Sequence, residues 1–130
     1  LELHPGELRP VLAAFVEPAL AMSQDRNGGG AFVRVVARAY AEKNDGLRKF
    51  LSDHYGHVLR EFGKAISICV PSLSKEELYW RLDFLAGALT YAMADFGLIK
   101  RPAEVTEAAH RERAARELIR FAEAGIRAGH

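Results

Sequence analysis

His54, His57 and Glu61 form the densest group of chemistry-bearing side chains in this sequence. The two histidines lie one helical turn apart and Glu61 follows His57 by four residues, so a helix would put all three on adjacent faces, where a metal ion could sit. The spacing matches no established ligand signature. His54 also falls on an apolar stripe, where a hydrogen-bonded core or pocket histidine is the simpler reading. Glu107-Ala-Ala-His110 has the Glu-x-x-His spacing of di-iron bundles. Such a site needs a second pair and further carboxylates from facing helices, and the sequence offers neither, which leaves a solvated helix face. Cys69 is the single cysteine; no histidine is near it in sequence, no G-x-S-x-G elbow is present, and on an apolar stripe it reads as a small hydrophobe. Gly28-Gly29-Gly30 lacks the Lys and Ser/Thr of a phosphate loop and follows no strand. Asp83 and Asp95 are explained more simply by capping or by salt bridges to Arg81 or Lys100 than as polar groups of a pocket. No acid–base or nucleophile set can be assembled, so the sequence reads as non-enzymatic, with no cofactor and no metal.

The remaining chemistry is of a binding kind. Phe15, Phe32, Tyr40, Phe50, His54, Tyr55, Phe62, Trp80, Phe84 and Tyr91 are spread over four expected helices. Aromatic side chains with a few polar groups are how small-molecule cavities are lined. Aromatics at helical spacing also build ordinary cores, and periodicity alone leaves both uses open.

The elements that must position these residues are helical. Leu8, Val11, Leu12, Phe15, Val16 and Ala19 share one face after a start at His4-Pro5-Gly6-Glu7. Pro18 has no N–H for the carbonyl of Ala14, which predicts a kink there. Ser23 to Gly30 reads as a loop. Phe32, Val35, Val36, Ala39 and Tyr40 give a second apolar face, and Asn44-Asp45-Gly46 separates it from a third, with Asp45 as the expected N-cap. The third helix carries Leu47, Phe50, Leu51, His54, Val58, Phe62, Ala65, Ile66 and Cys69 inward and stops at Pro71. Gly56 and Gly63 within it suit the close approach of another helix or a ligand.

Ser74-Lys75-Glu76-Glu77 has the form of a capping box and opens the stretch ELYWRLDFLAGALTYAMADFG. Leu78, Leu82, Leu85, Leu89, Ala92 and Phe96 make one stripe on it; Trp80, Phe84, Gly87, Ala88 and Tyr91 make a second. A surface helix needs one apolar stripe, so one face of this helix is expected to pack into the domain and the other against a copy of itself. The chain reads as organised around this helix. Arg81, Asp83 and Asp95 interrupt it, and it is too short to span a membrane. Gly97 and Pro102 end it. Thr106 is the expected cap of a last helix, whose inward residues Ala108, Ala115, Leu118, Ile119, Ala122 and Ile126 are small enough for a tight helix–helix contact. Outward pairs at i,i+4, Glu107–Arg111, Glu112–Arg116, Arg113–Glu117 and Glu123–Arg127, line its other side. No strand pattern, repeat or low-complexity tract appears, so the expectation is an all-α bundle of about five helices.

At 130 residues and 49% hydrophobic, the chain suits one domain with a core of its own. A net charge of +1 gives no strong pull toward nucleic acid or anionic membrane. One cysteine and no visible secretory signal fit a reducing, cytoplasmic setting. The sequence opens at LELHPGELRP without Met, as a fragment would.

Taken together, HPGELRPVLAAFVEPAL, DGLRKFLSDHYGHVLREFGKAI and above all LSKEELYWRLDFLAGALTYAMADFG resemble the C-terminal regulatory domain of tetracycline-repressor (TetR) family transcription regulators, over nearly the whole chain. The resemblance is one of pattern, since these domains vary greatly in sequence. It implies that residues 74–97 and 106–128 pair with their copies in a dimeric four-helix bundle, and that the other three helices enclose an effector pocket. The dimer interface would then hold Trp80, Phe84, Gly87, Ala88, Tyr91, Leu118 and Ala122, and the ligand would meet Phe15, Phe32, Tyr40, Phe50, His54, Phe62 and Leu85. The sequence looks most like the branch with small hydrophobic, fatty-acid-like effectors. Family members carry an N-terminal helix-turn-helix domain, and no basic recognition helix is found here. The expectation is therefore the sensor half of a repressor spanning residues 1–130, reaching operator DNA only through the absent N-terminal domain and meeting no membrane. A stand-alone dimeric carrier of apolar small molecules and a purely structural dimerisation module are the other classes the residues allow.

Overall fold

The computed structural model of the chain describes residues 7–23, 38, 42–93 and 99–130, with the side chains of Ser23, Leu47, Leu51, His54 and Tyr55 excepted. Every regular element among them is an α-helix. The first, α1 (Leu8–Ser23), buries Leu8, Val11, Leu12, Val16 and Leu20 and half-buries Phe15 and Ala19, the face that the apolar spacing specifies. The helix runs on through Pro18 to Ser23. Ala14 and Pro18 are both exposed, so the carbonyl deprived of its donor faces the solvent side of the helix.

The second, α2 (Asp45–Cys69), starts one residue earlier than a cap at Asp45 would place it. The Arg48 N–H donates to the Asn44 carbonyl at 2.9 Å, making Asn44 the cap and Asp45 a first-turn acid favourable to the helix dipole. Lys43, just before it, takes the left-handed backbone conformation at φ 53°. Among the described side chains, α2 enters the core through its last turns, by Ile66, Cys69 and the following Val70, with Phe62 and Ala65 packed beside them.

The third, α3 (Lys75–Met93), opens with the capping box the sequence specifies. The Glu77 N–H donates to Ser74 Oγ at 3.1 Å while the Ser74 N–H donates to Glu77 Oε1 at 3.0 Å. The fourth, α4 (Glu107–Arg127), is capped by Thr106, whose Oγ1 accepts from the Ala109 N–H at 3.1 Å. Of its expected outward pairs, Arg113–Glu117 closes at 3.1 Å, whereas Glu123 reaches across to Arg9 of α1 at 2.9 Å.

One core joins all four helices: the α1 face, the end of α2, Leu78, Leu82, Leu85 and Leu89 of α3, and Ala115, Ile119, Ala122 and Ile126 of α4. The element most enclosed is α1, not α3. It packs most extensively on α4 and also touches α2 and α3, and its Leu8, Leu12 and Val16 are wholly buried. Among the described residues α3 is covered on one side, through Leu78, Leu82, Leu85 and Leu89. Close approach of α2 to α3 is allowed by Gly63, where an added Cβ would stand 3.1 Å from Leu82 Cδ1. The chain is all-α. The expected helix carrying Phe32, Val35, Val36, Ala39 and Tyr40 lies, apart from Arg38, outside the described residues, as do Asp95, Phe96 and Gly97.

Candidate dimer face and effector site

The two stripes of α3 separate by 3.6-residue periodicity, and the packing treats them differently. Leu78, Leu82, Leu85 and Leu89 point into the core; Trp80, Phe84 and Tyr91 remain 58%, 67% and 50% exposed. The Trp80 and Phe84 rings contact one another at 5.9 Å between centroids, tilted by 34°. Gly87 is exposed, with nothing within 4 Å of where a Cβ would stand, and Ala88 is half-buried. α4 continues this surface with half-buried Leu118 and with Phe121, which is 71% exposed. Ala122 turns inward and belongs to the protomer's own core; its small side chain lets α3 and α4 come together there.

Between the two helices lies a largely apolar groove of ≈ 140 Å³, walled by Phe84, Ala88, Phe121 and Gly125, floored by Leu85, Ala122 and Ile126, and also lined by Arg81. A more open groove follows the flank of α3 beside Lys75, Glu76, Tyr79, Trp80 and Asp83, where Lys75 Nζ lies 5.7 Å from the Tyr79 ring centre.

Among the residues expected to meet a ligand, the fold brings Phe15 and Phe62 together, with ring centroids 4.6 Å apart and planes tilted by 46°. Phe50 is half exposed and sits on the same helix as Phe62, roughly 18 Å away along its axis at 1.5 Å per residue. Leu85 is in the core that Phe15 also packs against, and at the floor of the α3–α4 groove, beside the residues expected at the dimer face. Phe32, Tyr40 and the His54 side chain lie outside the described residues. His57 and Glu61 are exposed, and among the described residues no three His, Cys, Asp or Glu side chains gather as a metal site would require.

Cys69 is buried, and its Sγ–H donates to the Glu7 carbonyl at 3.3 Å. Burial pushes its pKa up, the Glu7 charge adds to the rise, and Arg127 opposes it. The thiolate is disfavoured, so Cys69 serves as a packing residue.

Sequence reasoning missed the clasp that fastens the start of α3 to the end of α4. Arg81 Nη1 donates to the carbonyls of Ile126 and Ala128 at 2.6 and 2.9 Å, satisfying groups that a helix C-terminus leaves without partners. This, and not an aspartate, is the role of Arg81. Its Nη2 also reaches Glu77 at 3.4 Å. Glu77 Oε2 lies 2.9 Å from His130 Nε2, and His130 Nδ1 lies 2.6 Å from Ser72 Oγ. These bonds, that from His130 first and those with Ser74 next, lower the Glu77 carboxyl from 4.5 to about 2. Local periodicity carries no trace of such contacts, which join residues far apart in sequence. Phe121 was also missed, because it lies between the outward charge pairs Arg113–Glu117 and Glu123–Arg127.

No described helix is long and apolar enough to cross a membrane. Comparison with curated proteins and with solved structures returns no match. A family model described as the tetracyclin repressor-like C-terminal domain matches residues 13–125, most of the chain. The helical order, the capped α3 and α4 and the one-sided burial of α3 are thus found in a chain that belongs to the tetracyclin repressor-like C-terminal domain family.

Proposed function

We propose that the chain is the effector-sensing and dimerisation domain of a cytoplasmic TetR-type transcription regulator. One observation carries the dimer: α3 and α4 together present Trp80, Phe84, Tyr91 and Phe121 to solvent on a single apolar face. Monomeric soluble proteins rarely expose a contiguous apolar surface of this kind. In the proposed assembly the two helices pair with their copies in a four-helix bundle, with Trp80, Phe84, Gly87, Ala88, Tyr91 and Leu118 facing the partner and Ala122 supporting the contact from within.

A small hydrophobic, fatty-acid-like effector is proposed to bind on the other side of α1, against Phe15 and Phe62, with Phe32, Tyr40, Phe50 and His54 as further candidates. The chemistry is apolar burial with few polar anchors. Regulation follows as a population shift. A ligand that prefers one arrangement of the helices biases the separation of two DNA-binding heads supplied by N-terminal helix-turn-helix domains. As the most enclosed helix, in contact with α2, α3 and α4, α1 is suited to carry that bias.

Native mass spectrometry of the purified chain tests both halves. A dimer retaining a hydrophobic small molecule is the expected result. A monomer would remove the reading of Trp80 and Phe84 as partner-facing, and a regulator whose operator affinity ignores every bound fatty acid would remove the sensing mechanism.

A further inference from the structure

We propose that Phe121 is the anchor of the contact between two copies of this chain, its ring seated in the α3–α4 groove of the other copy. The inference rests on the homodimer proposed above and adds the residue and the hole that hold it together. Phe121 projects from α4 with 71% of its surface exposed, among charged neighbours that give its ring no cover. The groove has a volume of ≈ 140 Å³ and a lining that is almost wholly apolar in exposed surface, with Arg81 contributing to it and the protomer's own Phe121 as one wall against which the incoming ring would stack. An apolar cavity of about 150 Å³ accommodates one benzene ring. Hole and ring are therefore matched in size and chemistry.

They also lie on the same face of the same protomer. A two-fold axis requires this arrangement, since an isologous interface must present both halves of each contact. That favours a second copy over an unrelated partner, which would need to bring only one half. The exposed parts of Trp80, Phe84 and Phe121, rings that bury about 150–250 Å² each when fully covered, supply on the order of half of the about 800 Å² per partner that a stable interface uses. A central aromatic in a desolvated hole is the type of residue that dominates such contacts. Gly125 keeps the hole open: an added Cβ would meet nothing within 4 Å inside the protomer, so the protomer's packing does not call for glycine.

The test is sedimentation equilibrium on the full chain, with circular dichroism to confirm the fold. Phe121→Ala removes the ring from an exposed position, and Gly125→Leu fills the hole while improving helix propensity. If the ring seats in the hole, each variant raises the dimer dissociation constant about tenfold or more. Both remove one contact, so the double variant is then no weaker than the worse single one. A wild-type dimer whose dissociation constant is unchanged in both variants overturns the anchor and leaves the homodimer standing. A wild-type chain that stays monomeric overturns both.

Discussion

The rings of Phe15 and Phe62 meet with centroids 4.6 Å apart, and the contact ties the middle of α1 to α2 beside the core. A tilted aromatic pair contributes about 0.5–1.5 kcal/mol beyond its burial. Phe62→Leu keeps most of the volume and is expected to lower stability by about 1 kcal/mol, the value of the pair. Phe62→Ala, at a half-buried site, is expected to lower it by about 2 kcal/mol. Urea unfolding reads both. With decanoate as probe, calorimetry is expected to show binding weakened about tenfold by Phe15→Ala, the equivalent of one lost aromatic contact. Unchanged decanoate affinity in that variant would move the effector site elsewhere.

Acid should loosen the bundle through Glu77. Its carboxyl titrates at about 2 in the folded chain against an ordinary 4.5, so the unfolded chain binds the proton more readily. The stability that this group contributes is complete above about pH 4.5 and is lost as the pH falls toward 2. Urea midpoints between pH 6 and 2.5 are expected to fall less steeply in Glu77→Gln than in the wild type. His130→Ala removes the largest cause of the shift and should narrow the window from its acid side. Parallel curves for wild type and Glu77→Gln would refute this account.

Two glycines of α2 should respond to alanine to different extents. At Gly56 a new Cβ would meet Arg60 Nη1 at 3.3 Å, the far end of a flexible exposed side chain. Gly56→Ala should stabilise by about 0.5–1 kcal/mol through helix propensity. At Gly63 the neighbour is Leu82 Cδ1 at 3.1 Å, held in the core. Gly63→Ala should lose most of that gain, and Gly63→Val should destabilise by about 1–3 kcal/mol through overpacking. Thermal melts of the three variants decide; equal gains at both positions would mean that α2 and α3 do not approach at Gly63.

Arg81 should govern fraying of α4. Removing a charged donor from two carbonyls is expected to lower stability by about 1–2 kcal/mol, less than a fully buried case because Arg81 is partly exposed. The first effect should be local: faster hydrogen exchange in the last turn before Arg127, ahead of the rest of the helix. Arg81→Lys should not restore protection, since its nitrogen ends one bond short of Arg81 Nη1, the atom that serves both carbonyls, and leaves no second nitrogen for Glu77. Full rescue by lysine would show that charge alone matters there.

What could be read from residue order was whatever depends on local spacing. The inward Leu78, Leu82, Leu85 and Leu89 and the outward Trp80 and Phe84 differ by their phase on one helix, and phase is visible in sequence. The caps at Ser74 and Thr106 are likewise defined within four residues. The centrality of α1 was not legible, because Leu8, Leu12 and Val16 look like any apolar stripe until three other helices close around them. The partners of Arg81 and Glu123 were misjudged for the same reason. Local charge spacing favoured neighbours such as Asp83 and Arg127, while the fold supplied the end of α4 and Arg9. Among the described candidate ligand residues, Phe15 and Phe62 meet while Phe50 lies far along α2, since a shared cavity depends on where helices cross and not on any one helix.

The pairing of α1 with α4 has a consequence for how the chain is made. Arg9 and Glu123, which bond across that contact, are separated by 114 positions, so the most extensive helix contact in the fold is also among the most distant in sequence. During synthesis α1 emerges long before its main partner, with Leu8, Leu12 and Val16 uncovered. At about 5–20 residues per second, α4 arrives several seconds later. Such non-local closure slows folding relative to an all-local helical hairpin. On the ribosome α1 thus waits for α4, and its early exposed surface is a ready target for chaperones.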